Sequence, residues 1–197
     1  MLNLPNDYDS ARAYDGKGFD ALPAGGHICR IIGARPAKSR QGNDMLEISF
    51  DIAENGPYDG MFKQRFDDMR KQRPDAKWPN GGMFRTGLVT RDGRTSGYFK
   101  GLITAVEKSN EGYSFKATYC NEETLKGKLV GFNFGEEEYK GNDGKIRTSV
   151  KAAYAVSVQT VRDGIEPPPK KLYKPAPGES MAASGFTEVK DDDDLPF

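Results

Sequence analysis

Histidine and tryptophan each occur once and cysteine twice in 197 residues, and Lys plus Arg balance Asp plus Glu at 29 each. Each shortage excludes something. With His27 alone and Cys29 and Cys120 far apart, no CxxC metal pair or disulfide framework is indicated, and both thiols are expected to be small packing residues. No GxxxxGK[ST], HExxH or GxSxG motif is present, so neither an enzyme nor a cofactor is expected. Zero net charge argues against a uniformly basic nucleic-acid binder. No apolar run approaches the roughly 18–20 residues needed to cross a bilayer, and MLNLPNDYDS lacks a basic n-region and an apolar h-region, so a cytoplasmic location is expected.

What is present is unevenly distributed. From Glu166 onward there are 4 lysines against 7 acids, which leaves the first 165 residues with 25 bases against 22 acids. A mildly basic body therefore precedes an acidic tail, an asymmetry that points to nucleic-acid work or an interaction tail. Three stretches are expected along the chain: a body over 1–164, a flexible Pro-rich linker over 165–190 and an acidic tip over 191–197. The linker reading rests on five prolines and no hydrophobic period in IEPPPKKLYKPAPGESMAASGFTEVK.

Within the body, MLEISFDI alternates Leu46, Ile48, Phe50 and Ile52 with polar residues, the period of a half-buried strand. The spacing predicts strands over about 27–35 and 45–53, a short helix near 61–72 ended by Pro74, and a strand near 83–90. A helix follows, with Phe99, Leu102, Ile103 and Val106 on one face, and then a long hairpin turning at Asn142, Asp143 and Gly144. In the second arm, one side (Ile146, Thr148, Val150, Ala152, Tyr154) is expected to pack. Three strands, a helix and two strands match the mainly β, five-stranded OB-fold barrel, whose helix lies between the third and fourth strands.

The candidate ligand-binding residues are bases that track phosphates and aromatics on which bases stack. Lys38 and Arg40 lie in the first loop, Lys63 and Arg65 beside Phe62 and Phe66 in the middle region, and Trp78, Phe84 and Arg85 follow. Lys145, Arg147 and Lys151, near Tyr139, form a second group on the hairpin. Phe50, Phe99, Phe132 and Phe134 are assigned to the core. Glu136, Glu137 and Glu138 are consecutive, so a strand scatters them over both faces and they do not converge on a metal.

The chain ends in KDDDDLPF. A solubility tail gains nothing from Leu195 and Phe197, whereas Pro196 stiffens the backbone so that both side chains lose less entropy on docking. An apolar pocket rimmed by Lys or Arg would hold such an end. DDDDLPF resembles the acidic tip that closes bacterial single-stranded DNA-binding proteins. The body is similar to the versions encoded by bacteriophages, through SGYFKGLITAVEKSN and LKGKLVGFNF.

That resemblance implies sequence-independent binding and protection of single-stranded DNA during phage replication, recombination and repair, in the host bacterial cytoplasm. It implies that Asp191, Asp192, Asp193, Asp194, Leu195, Pro196 and Phe197 recruit partners of the polymerase, helicase, primase, nuclease or recombinase class. Homo-oligomers are left open. The alternatives are a strand-annealing or recombination-mediator protein, a replisome adaptor without DNA binding of its own, and an RNA-binding regulator.

Overall fold

A computed structural model describes residues 22–175. It is mainly β: β1 (Gly25–Lys38), β2 (Asp44–Ile52), β3 (Met83–Gly87), β4 (Leu129–Lys140) and β5 (Ile146–Val156) form one antiparallel sheet in the order β3-β2-β1-β4-β5. Helices α1 (Met61–Gln72), α2 (Gly97–Ser109) and α3 (Val158–Arg162) lie between β2 and β3, between β3 and β4, and after β5. Among the described residues, no helix is long and apolar enough to cross a membrane.

The alternation in β2 sends Leu46, Ile48, Phe50 and Ile52 inward, where they meet Val130, Phe132 and Phe134 of β4 and Leu102 and Val106 of α2. Phe132 lies 4.5 Å from Phe50 and 5.2 Å from Phe84, ring centre to ring centre, although β3 and β4 are separated by two strands. The sheet is therefore strongly curled. It does not close into the expected barrel: no ladder joins β3 to β5, and an open cleft of about 540 Å³, lined by both edges, separates them.

Helix α1 has no acid in its first turn and begins at Gly60 without a side-chain cap of its own. Asp51, on the outer face of β2, takes that role. Its carboxylate accepts from the backbone N–H of Phe62 at 2.9 Å and of Lys63 at 3.1 Å, and Phe62 then turns inward edge-on to Phe50. Burial pushes the Asp51 carboxyl up, against the lowering effect of these amide bonds. The capped helix is thereby fixed over one end of the outer face.

The first part of the expected linker, from residue 165, lies along β4. Asn133, buried in β4, donates to the Glu166 carbonyl at 2.9 Å. A Cβ on Gly135 would come within 2.7 Å of the Pro168 ring, so only glycine lets the chain lie this close. Lys171 then forms a parallel bridge with β4, donating to the Glu136 carbonyl and accepting from the Glu138 amide. This strap takes the edge of β4 beyond Phe134, where β1 has ended. Prolines do not forbid it, because one bridging residue suffices and that residue is a lysine. Residues 1–21 and 176–197, including the tip at 191–197, lie outside the described residues.

Candidate functional site

Outward positions on β1, β2 and β3 form a row across the sheet. Arg35 pairs in register with Glu47, and Glu47 with Arg85. The Glu47 side chain is 8% exposed, while those of Arg35 and Arg85 are 72% and 47% exposed. Arg35 Nε donates to one carboxylate oxygen at 2.6 Å and Arg85 Nε to the other at 2.5 Å. Burial alone would raise the Glu47 carboxyl, but the bonds from Arg85 and Arg35 hold it below the usual range. One anion thus orients two guanidinium groups whose outer edges face solvent.

Beside this row lies a cleft of about 560 Å³, walled by Phe66 of α1 and by Lys77 and Trp78 of the following loop. Trp78 is half-buried; its indole N–H donates to the Gly82 carbonyl at 3.0 Å, and its ring lies 5.2 Å from that of Phe66. Gly82 is required here: a Cβ would meet the Trp78 ring nitrogen at 2.7 Å and Phe62 at 2.8 Å. The tight 80–82 turn therefore sets the tilt of the tryptophan. Asn80, Met83 and Arg85 also line the cleft between β3 and β5, which continues to Tyr98, Lys151 and Lys171. The two clefts thus share a wall.

The structure gathers some of the predicted residues and disperses others. Trp78 and Arg85 line the first cleft, and Lys151 lines the second while bonded to Glu137. Phe84 is turned inward by β3, 6% exposed and against Phe132, and reaches only the wall of the second cleft. Lys38 pairs with Asp44 at the loop base, and Arg40 is exposed in the turn beyond it. Lys63 is engaged by Asp67, and Arg65 is half-buried on α1, where desolvation lowers its pKa. Tyr139, Lys145 and Arg147 stand at the far end of the hairpin, where Tyr139 faces Arg147 in register and Arg147 is held by Asp143. None of Lys38, Arg40, Lys63, Tyr139, Lys145 or Arg147 lines either cleft.

That hairpin end projects from the core, so Ile146 and Thr148 are exposed and the expected packing of the second arm begins only at Val150. The three glutamates separate as the strand period requires: Glu137 meets Lys151 on one face, and Glu138 and Glu136 meet Lys170 on the other. Cys29 is buried, and burial raises its thiol pKa. Cys120 is exposed, contrary to the expected packing role, at a left-handed turn with φ 55°.

Sequence reasoning missed Arg35, Glu47 and Lys171. Arg35 sat at the end of an isoleucine-rich strand, and Glu47 was read only as a polar alternate. Their meaning depends on cross-strand register, and a charge on the outward phase of each of three successive strands was the available signal. No protein-family model matches the chain, and no curated protein matches it.

Proposed function

We propose that the protein binds single-stranded DNA without sequence preference through the outer face of β1, β2 and β3. One observation carries this reading: Trp78 and Phe66 lie in the same cleft as the Arg35–Glu47–Arg85 row, so a stackable ring and two oriented guanidinium groups face one space. Stacking on rings and charge-assisted bonds to phosphates are the two elements that sequence-tolerant binding to unpaired strands needs.

The connectivity supports the same reading. Strand β1 is shared between β2 and β4, and α2 sits between β3 and β4, as in an OB-fold whose seam between β3 and β5 is open. In that architecture the strand 2–3 face and the loops after β1 and after β4 contact oligonucleotides; Arg40 and Lys145 belong to those loops, and Lys38 and Arg147 stand at the strand ends beside them. The biological role we infer is coating and protecting unwound strands during phage DNA replication, recombination and repair. The tip at Asp191–Phe197 would recruit the enzymes of those processes.

Trp78 is the only tryptophan, so its fluorescence reports on the cleft alone. Titration with oligothymidine is expected to quench it, with affinity falling linearly against salt on logarithmic axes. Unchanged emission and no retained oligonucleotide at low salt would overturn the proposal.

A further inference from the structure

The cleft between β3 and β5 contains polar groups that the fold leaves unused. Helix α2 begins there, after Ser96, with no acid in its first turn. The N–H of Ser96 is bonded to the Leu88 carbonyl and that of Lys100 to the Ser96 carbonyl, whereas those of Gly97, Tyr98 and Phe99 meet no acceptor among the described residues. Ser96 itself is 8% exposed and lines the cleft, and its hydroxyl makes no capping bond. A serine at this position ordinarily turns back to bond the helix amides. Ser96 and Tyr98 both border the cleft, so the start of the helix forms part of its wall.

Cations complete the surroundings. Lys171, held in place by its backbone bridge to β4, and Lys151 line the same cleft, as does Arg85 from the neighbouring one. The opposing charges on these cations are already engaged: Glu137 pairs with Lys151 at 3.1 Å and Glu47 with Arg85. Unbonded first-turn amides, a serine hydroxyl without a partner and flanking ammonium groups are complementary to a phosphate oxygen pair.

We propose that Ser96 and the first turn of α2 form a phosphodiester subsite, so that a polynucleotide leaving the Trp78 cleft crosses the Asn80–Met83–Arg85 wall and lays a backbone phosphate into the gap between β3 and β5. This rests on the reading that the protein binds single-stranded DNA, and it adds a strand path and a second contact.

Two substitutions test it. Ser96→Asp places a carboxylate over the amides, which favours the helix and repels phosphate. Gly97→Pro deletes one amide at the first helical position, where proline is tolerated; the preceding Ser96 has φ −62° and ψ 130°, compatible with a following proline, and no atom lies within 4 Å of a new Cβ. Both variants are expected to unfold at or above the wild-type temperature. Oligothymidine affinity should fall about tenfold for Ser96→Asp, with a salt slope lower by about one, and about fivefold for Gly97→Pro. If Ser96→Asp does not fold, Gly97→Pro decides alone.

Wild-type affinity and slope in the folded variants would overturn the subsite while leaving the DNA-binding reading intact. Absence of wild-type binding would overturn both. Amide signals of Gly97, Tyr98 and Phe99 should shift with oligothymidine and not with inorganic phosphate at equal phosphate concentration. Equal shifts with inorganic phosphate would remove the assignment to a polynucleotide.

Discussion

Two carboxylates on the outer face of β2, four residues apart and both nearly out of solvent, have opposite surroundings. Asp51 is met by backbone amides and closes its end of the face with α1. Glu47 is met by two guanidinium groups, and its end stays open as a cleft. Burial pushes the Asp51 carboxyl up, while Arg85 and Arg35 overcome burial and hold the Glu47 carboxyl down. Similar burial thus serves two ends: one acid is consumed in building, and the other presents positive charge to the outside. Amides already bonded to the Asp51 carboxylate have nothing further to offer a ligand, whereas an arginine fork retains N–H groups after one edge is engaged.

The largest expected effect breaks the building acid. Asp51→Ala strands the N–H groups of Ile52, Phe62 and Lys63 and should destabilise the protein by about 3 kcal/mol in urea unfolding, with Asp51→Asn recovering part through its remaining oxygen. Next comes Trp78→Ala, which should weaken oligothymidine binding by about 2 kcal/mol, or about 30-fold, with Trp78→Phe intermediate. Arg35→Ala and Arg85→Ala should each lower the salt slope by about one and affinity severalfold, while Asp51→Asn leaves the slope unchanged.

The smallest effect is the pH profile of stability, and it sharpens the contrast. Glu47 has a depressed folded value, so its contribution is present above the ordinary carboxylate range and lost as pH falls through the depressed value. Asp51 has a raised folded value, so stability from that group declines as pH rises from the ordinary value through the raised one. Urea midpoints between about pH 3 and 6 should therefore flatten in opposite directions for Glu47→Gln and Asp51→Asn. Parallel profiles would erase the distinction.

The elements were legible wherever one residue's burial decided its neighbour's. MLEISFDI could only be a strand with Phe50 inward, and Leu102, Ile103 and Val106 could only share a helix face. The consecutive glutamates separated as period 2 demands. Phe84 was not legible, because β3 is only five residues long and its phase cannot be read among glycines. Closure of the sheet depends on how far it curls, which no single strand encodes. The row through Glu47 required three strands in register, and the strap required knowing that β1 stops at Gly25 and leaves an edge of β4 unpaired.

That strap has a mechanical consequence. Because residues 166–173 are held by separate contacts at Asn133, Glu136 and Glu138, tension applied past residue 175 is taken first at Tyr173 and Lys171. Traction from that side would peel a short appended segment before it strained the aromatic interior, giving the molecule a sacrificial strain relief between whatever pulls and whatever grips.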